Sequence, residues 1–304
     1  MSDLYLAIVA MTILGIASFL ISRRLASGLA RDRCNLLALI TVLCICGYIR
    51  WLWDDMRLVR LLPVPNLVIL GNWFLPLLGI LAGLAWERIS ESRWRRWTNT
   101  VLLFACGMYA TVQPVLGKSP ICDSRWSGPY CMQTTRATCS AAAAATLLNL
   151  HQIESNEQEM ADLCLTREGT TWKGLYRGLA IKTAGSAWRV DVIDDAADAL
   201  PSEGQPPVIL CAKLPVNLAD DPELSHYKTE WGWIPGTSHS VVVLQPVRNG
   251  QFLVHDPSIG IEVWSQADIN MLVHGKGLRL TPLHGGVQES QAPIAARGWM
   301  PGTR

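Results

Sequence analysis

Apolar positions along this chain follow two patterns, and the change comes near residue 120. Before it lie four long, nearly uncharged stretches, roughly Leu4–Ile21, Asn35–Tyr48, Leu61–Trp86 and Thr98–Leu116. A helix needs about 20 residues to cross the hydrocarbon core of a bilayer. The first, third and fourth stretches are long enough, and the second becomes so when Leu36 to Trp51 or Leu52 is counted with snorkelling flanks. Four transmembrane helices are therefore expected over residues 1–118. Arg23 and Arg24 follow the first stretch, no basic segment precedes it and no small-residue cleavage site follows it. That reads as an anchor and not as a removable signal peptide.

Beyond residue 120 the apolar runs shorten, and charges and turn residues enter. "CSAAAAATLLNL" predicts a helix beginning near Cys139. Alanine is the best helix former, and its small side chain lets a helix lie close to a sheet. "SNEQEMADLC" opens with Ser155 and carries Gln158 three residues on, the pattern of a capping box. "TTWKGLYRGLAIKTAG" predicts a third helix, capped at Thr170 or Thr171 and stopped near Gly185. "AWRVDVI", "VILCAKL", "HSVVVLQ", "FLVHD", "GIEVWS" and "GLRLTPL" then read as short strands divided by Pro, Gly, Asn or Asp. Helices followed by strands imply an α+β domain, over residues 119–283. The polar remainder, 284–304, reads as a flexible tail, and no internal repeat is visible.

Composition sharpens this picture. Half of the 304 residues are hydrophobic, which is high for a purely soluble protein, and a net charge of +1 excludes broad attraction to nucleic acid. Trp51, Trp53, Trp73, Trp86, Trp94 and Trp97 lie at or near the ends of the apolar stretches, where an interfacial aromatic belt is expected. Loop arginines set the orientation. The first loop holds Arg23, Arg24, Arg31 and Arg33, and the third holds Arg88, Arg93, Arg95 and Arg96. The second holds only Arg50, Arg57 and Arg60. Both termini are then outside the cytoplasm. The nine cysteines form no C-x-x-C pair and the histidines are scattered, so no metal or cofactor is expected. Cys44 and Cys46 read as lipid-facing or packed thiols. Cys122 and Cys131 flank "DSRWSGPY" and are either a disulfide closing this small loop or two unrelated thiols.

The candidate chemistry centres on "QTTRATCSAA". Helix N-terminal amides favour the thiolate form of a cysteine placed as Cys139 is. The upstream Gln133 has an amide that can donate to an oxyanion beside the Cys139 N–H. "GTSHSVVVL" puts His239 at the start of a strand, and "FLVHDPSIG" puts Asp256 at the end of the next. Thiol, imidazole and carboxylate make up a nucleophile, a base and its orienting group. In an antiparallel hairpin, a two-residue Asn249-Gly250 turn sets His239 against Gly260, whereas a four-residue "PVRN" loop sets it against Asp256. Pro246, which cannot donate to a ladder, favours the longer loop. His255 points to the opposite face, as a surface or packing residue. His226 belongs to an insertion-like loop, "LADDPELSHYKTEWGW", whose Trp231 and Trp233 line a groove, meet headgroups or simply pack. Cys164 and Cys211 read as core, and "HGG" at 284–286 as part of the tail.

In order and spacing, residues 128–282 resemble the papain-like peptidases of cysteine-peptidase family 39, best known as bacteriocin-processing domains that cut after double-glycine leaders. Gln-x5-Cys matches that family's oxyanion glutamine and nucleophile at Gln133 and Cys139. "SHSVVVL" maps the base to His239, and "HDPSIG" maps the orienting carboxylate to Asp256. The resemblance implies a papain-like α+β cysteine peptidase with N-terminal helices packed on an antiparallel sheet. It implies a peptide or protein precursor as substrate, cut at a double-glycine or small-residue site, with a separate export machinery as a further partner. The bilayer is the partner of the apolar half. Two departures stand out. Thr138-Cys139-Ser140 replaces the family's Asp-Cys-Gly, and no "GxxxxGK[ST]" is present, so this chain is not itself the exporter. A non-catalytic peptide receptor on a peptidase fold, or a related acyl transferase or amidase, uses the same residues.

The arginine asymmetry carries a prediction about topology. A tag placed after Arg304 should be accessible to protease added to intact spheroplasts; protection there would place the second half of the chain in the cytosol.

Overall fold

The computed structural model describes residues 2–53, 55–56, 65–66, 73–89, 92–193, 200–218, 225–229 and 232–283. The chain divides into two units, Met1–Gly117 and Lys118–Arg304.

The described part of the first unit is helical: α1 (Ser2–Ser27), α2 (Arg31–Gly47), α3 (Phe74–Arg88) and α4 (Arg93–Val112). A short π-helical turn, Tyr48–Leu52, continues α2. Helices α1 and α3 approach closely because α3 carries Gly79 and Gly83 at the contact. A Cβ on either would run into the α1 backbone around Gly15 and Phe19 or into Ser22. Arg23 Nε and Glu87 Oε1 pair at 3.3 Å across the same helices.

Among the described residues two helices, Leu4–Ser27 and Arg31–Leu52, are long and apolar enough to cross a membrane. This corrects the expectation of four. The third stretch contributes the 15-residue α3, and residues 57–64 and 67–72 of that region lie outside the described residues. The fourth helix, α4, begins with Arg93, Arg95 and Arg96, so only its second half is apolar. Three guanidinium groups in one turn do not enter hydrocarbon.

The second unit is a mixed helix and sheet fold. A hairpin, β1 (Arg125–Ser127) and β2 (Tyr130–Met132), leads into α5 (Cys139–Leu150), α6 (Glu157–Leu163) and α7 (Trp172–Thr183). Six strands follow: β3 (Trp188–Ile193), β4 (Val208–Lys213), β5 (Ser238–Pro246), β6 (Gln251–Asp256), β7 (Gly260–Ser265) and β8 (Val273–Pro282). They form one antiparallel sheet in the order β3-β8-β4-β5-β6-β7. Two short helices interrupt them, α8 (Ser225–Thr229) before β5 and α9 (Gln266–Leu272) before β8. Neither α9 nor the β1–β2 hairpin was expected from the pattern, although Ser265 and Asp268 form a full capping box on α9.

Strand alternation divides the sheet into two faces. Val208, Leu210, Ala212, Val241, Val243 and Val254 enter one core cluster with Tyr227, Trp233 and Trp264. The other face meets α5, where Ser140 Oγ and Ser240 Oγ lie 2.8 Å apart. All five alanines, Ala141–Ala145, are fully buried. Their small size sets how near the helix lies to the strands.

Two local expectations change. The N-cap of α6 is Asn156, whose Oδ1 accepts from Glu159 N at 2.9 Å, and not Ser155. Gln158 is not part of a capping box. Its side chain accepts from Cys122 N at 2.8 Å and donates to Pro120 O at 3.2 Å. The β5–β6 hairpin also departs from the four-residue loop. It turns through Arg248–Gly250, with Asn249 and Gly250 at φ 65 and 70, and Val247 N donates to Gln251 O at 2.7 Å. Pro246 lies in the ladder opposite Phe252, and a bulge between Val243 and Gln245 resets the register to Val242 opposite His255. One step further, Asp256 stands opposite Val241. His239, two residues along on the same face, is its diagonal neighbour, and diagonal neighbours lie within reach of long or aromatic side chains.

Glu157, at the start of α6, is fully buried. It accepts from Thr134 N at 2.7 Å through Oε1 and from Thr134 Oγ1 at 2.8 Å through Oε2. Thr134 follows Gln133, so this carboxylate fixes the segment before α5. Glu157→Ala leaves two donors unpaired and should lower unfolding stability by about 2–4 kcal/mol. Urea denaturation checks this; an unchanged midpoint would show that the bonds contribute nothing net.

Candidate active site

Cys139 is the first residue of α5, with Thr138 as its N-cap residue. The first amides of a helix have no intrahelical acceptor and carry the positive end of the dipole, which favours an anion there. Ser140 links this turn to Ser240, the residue after His239. Ser140 therefore ties the cysteine's helix to the histidine's strand.

His239 lies opposite Ala212 near the start of β5. Its Nε2 is 2.7 Å from Asp256 Oδ1. That bond leaves Nδ1 for the Cys139 thiol, which hydrogen-bonds the ring. Asp256 is fully buried at the end of β6. Its Oδ1 also accepts from Ser258 N at 2.8 Å and Ser258 Oγ at 2.6 Å, an Asx turn made possible by the "DPS" sequence. Its Oδ2 accepts from Trp233 Nε1 at 2.9 Å. Three of the four expected residues, Cys139, His239 and Asp256, are thus brought together. The fourth, Gln133, is held by its backbone. Its N–H donates to Pro257 O at 2.8 Å, the residue after Asp256. Gln133 Oε1 is buried with no hydrogen-bond partner among the described residues.

The charges of the three groups support one another. Burial raises the Cys139 pKa, but the His239 charge and hydrogen bond outweigh it and hold the thiol below its ordinary value. Burial opposes charge on His239 as well, yet Cys139 and Asp256 on its two sides raise it to about 10. Asp256, despite its burial, is held below the ordinary carboxylate value by His239 and Ser258. A thiolate–imidazolium pair is the state this arrangement favours.

A cleft of about 200 Å³ opens beside Cys139, lined in part by Thr171, Trp172, Leu175, Cys211, Ile234 and Ser240. Cys211, expected as core, is buried but also lines this cleft. Cys164 is core, and burial pushes its thiol up to about 12. His255 is fully buried and stacks on Tyr130 at 5.1 Å; burial lowers it to about 4. His226 packs against Tyr227 at 4.3 Å. Trp231, the rest of that loop at 219–224 and 230, and "HGG" lie outside the described residues. All nine cysteines are free thiols, so Cys122 and Cys131 are not joined. Cys131 faces Trp126 across the β1–β2 hairpin, while Cys122 precedes β1 and its Sγ donates to Pro120 O at 3.5 Å. Cys44 and Cys46 are exposed along α2. Among the described residues no group of three or more His, Cys, Asp or Glu is placed to hold a metal ion.

Two contributors escaped sequence reasoning. Nothing local marks Trp233 as a partner of Asp256, or Glu157 as the anchor of Thr134, because each contact joins residues far apart in the chain.

No family model matches the chain, and no curated protein does. Solved structures do resemble it. The peptidase domain of Streptococcus ComA, a bifunctional ABC transporter of a quorum-sensing pathway, is 18% identical over 50% of this chain and 96% of its own, with a TM-score of 0.38. A double-glycine-motif protease from an AMS/PCAT transporter, solved with its leader peptide, is 16% identical over 55% of this chain and 99% of its own, with a TM-score of 0.37. The Streptococcus mutans ComA peptidase domain is 19% identical over 50% of this chain and 97% of its own, with a TM-score of 0.33. At scores of this size the likeness carries no argument about chemistry.

The electrostatics predict a pH profile. A lowered thiol pKa means the thiolate appears below the ordinary 9.0, and the imidazolium persists until about 10. At about pH 6 iodoacetamide should label Cys139 well ahead of Cys131 and Cys164, since only a thiolate reacts. Removing the ring in His239→Ala takes away the charge and hydrogen bond that outweigh burial and leaves only the bonds from Ser240 and Ser140 against it, so the Cys139 midpoint should rise. An unchanged profile in that variant would contradict the pairing.

Proposed function

We propose that this chain is a membrane-anchored cysteine endopeptidase that cleaves a peptide or protein precursor. The observation that carries the proposal is the bond from Asp256 Oδ1 to Nε2 of His239, whose ring also interacts with Cys139 at the start of α5. The Cys139 thiolate attacks the scissile carbonyl carbon, and a carbon–sulfur bond forms as the carbonyl electrons move to oxygen. The Cys139 N–H and the Gln133 side-chain amide donate to that oxyanion. His239 gives its Nδ1 proton to the leaving amine, the carbon–nitrogen bond breaks and a thioester remains. Water, deprotonated by the same nitrogen, then attacks the thioester, releasing the acid and the thiol. Asp256 keeps the ring in the tautomer that presents Nδ1 to sulfur.

The substrate class follows from the Gln-x5-Cys resemblance: a precursor cut after a double-glycine or other small-residue site. The cleft of about 200 Å³ fits this, being smaller than the roughly 300–1,000 Å³ of pockets that take drug-sized ligands. Membrane anchoring is supported by Leu4–Ser27 and Arg31–Leu52, in whose most apolar stretches only 22% and 17% of the residues are buried. Helices of a soluble core bury far more. Leu6, Ile13, Ile21, Leu36, Leu39 and Leu43 are among the exposed apolar side chains on them. A separate exporter that delivers the substrate is the further partner the resemblance implies.

Cys139→Ala should abolish cleavage of a precursor peptide, and Cys164→Ala should not. Gln133→Ala should lower kcat by about 10²–10³ with little change in KM, because the oxyanion exists only in the transition state. Weakened binding of an uncleavable analogue with kcat unchanged would make Gln133 a specificity contact. Binding without turnover in the unaltered chain would favour a receptor.

A further inference from the structure

The Asp256 carboxylate is fully buried, and its two oxygens are served unequally. Oδ1 has three donors, His239 Nε2, Ser258 N and Ser258 Oγ. Oδ2 is given one, the Trp233 indole N–H at 2.9 Å. The same indole lies over the imidazole, with ring centroids 4.7 Å apart and planes tilted by 41°. Its own position is fixed from behind. Trp233 N donates to Tyr227 O at 2.9 Å, and the rings of Tyr227 and Trp264 stand 5.1 and 6.2 Å away.

Trp264 shows what packing alone looks like in this cluster. It is as deeply buried as Trp233, yet its Nε1 has no hydrogen-bond partner among the described residues. Of two neighbouring indoles, one gives its polar hydrogen to the carboxylate that orients His239 and the other gives it to no described residue.

We infer that Trp233 is a positioning residue, whose N–H holds the second oxygen of Asp256 and whose ring holds the plane of His239 against Cys139. The inference rests on the reading of these three residues as the reacting groups. Without the indole N–H, Oδ2 is a buried anionic oxygen with no donor, and a carboxylate losing a hydrogen bond to its charged form gains proton affinity. A carboxylate that protonates more readily supports the imidazolium less, and the imidazolium in turn supports the thiolate less. The acid limb of Cys139 reactivity should therefore move to higher pH. The other titratable groups facing Asp256 and His239 are His255, Tyr227, Glu262 and Cys211. All are left in place when only Trp233 is changed.

The test uses the full chain in detergent micelles, with Trp233→Phe retaining a ring and removing the donor. On a precursor peptide kcat should fall about tenfold with KM within about twofold, and the acid midpoint for iodoacetamide labelling of Cys139 should rise by about half to one unit. In an Asp256→Ala background the same substitution should change the labelling rate by less than about twofold, because the group it acts through is gone. A raised KM with unchanged kcat, or an equal effect in both backgrounds, overturns the inference. If the unaltered chain cleaves nothing but the labelling midpoint still moves, the peptidase reading fails and the positioning role stands. If it cleaves and the midpoint does not move, the positioning role fails alone. Should the Phe variant not fold, indole ¹⁵N–¹H spectra of the unaltered chain decide. One indole resonance should shift in Asp256→Ala, and no shift in any indole would overturn the assignment.

Discussion

The hydrogen bond between His239 Nε2 and Asp256 Oδ1, 2.7 Å long and buried on the carboxylate side, decides which ring nitrogen is left for Cys139. With Nε2 engaged, the ring can exchange a proton with sulfur only through Nδ1. The carboxylate also supplies the negative charge that keeps the ring protonated while the sulfur is ionised. If the bond is broken, the imidazole is free to turn and the thiol returns toward its neutral form. The lowered thiol, the raised imidazole and the lowered carboxylate are three views of that one contact.

The remainder of the second unit holds that bond in place from several directions. Ser140 and Ser240 join the cysteine's helix to the histidine's strand. Gln133 N reaches Pro257 O, so the segment before the helix is tied to the turn after Asp256. Glu157 anchors Thr134 beside it. Ser258 and Trp233 complete the carboxylate from its two sides. The alanine run of α5 allows these parts to meet, because a larger side chain at the buried positions that face the sheet would push the helix off it.

The parts of the fold that were legible in the sequence are those set by local rules. Helix α5 runs from Cys139 to Leu150 as "CSAAAAATLLNL" suggested, and Thr171 caps α7 through Gly174 N. The six strands fall on the six short β-rich segments. What was not legible depended on contacts between distant residues. The β5–β6 register turns on a three-residue turn and a bulge, and either one shifts every pairing by a position. The cap of α6 moved to Asn156 because the Gln158 side chain is used by the Pro120–Cys122 segment. Trp233 looked like any aromatic in a loop, and only the fold brings it to Asp256. In the first unit, counting apolar residues gave four membrane-crossing helices where the described residues hold two, and Arg93, Arg95 and Arg96 make the first turn of α4 polar.

The claim at the centre of this account is covalent, that the substrate's acyl group passes through Cys139. Acid quenching of the full-length chain during turnover of a precursor peptide, followed by digestion and mass mapping, reads this directly. The account predicts the N-terminal substrate fragment joined as a thioester to the peptide containing Cys139, labile to hydroxylamine and absent when His239 is replaced by alanine. A precursor that is cut while Cys139 stays unmodified, or an adduct on Cys211 in its place, would contradict it.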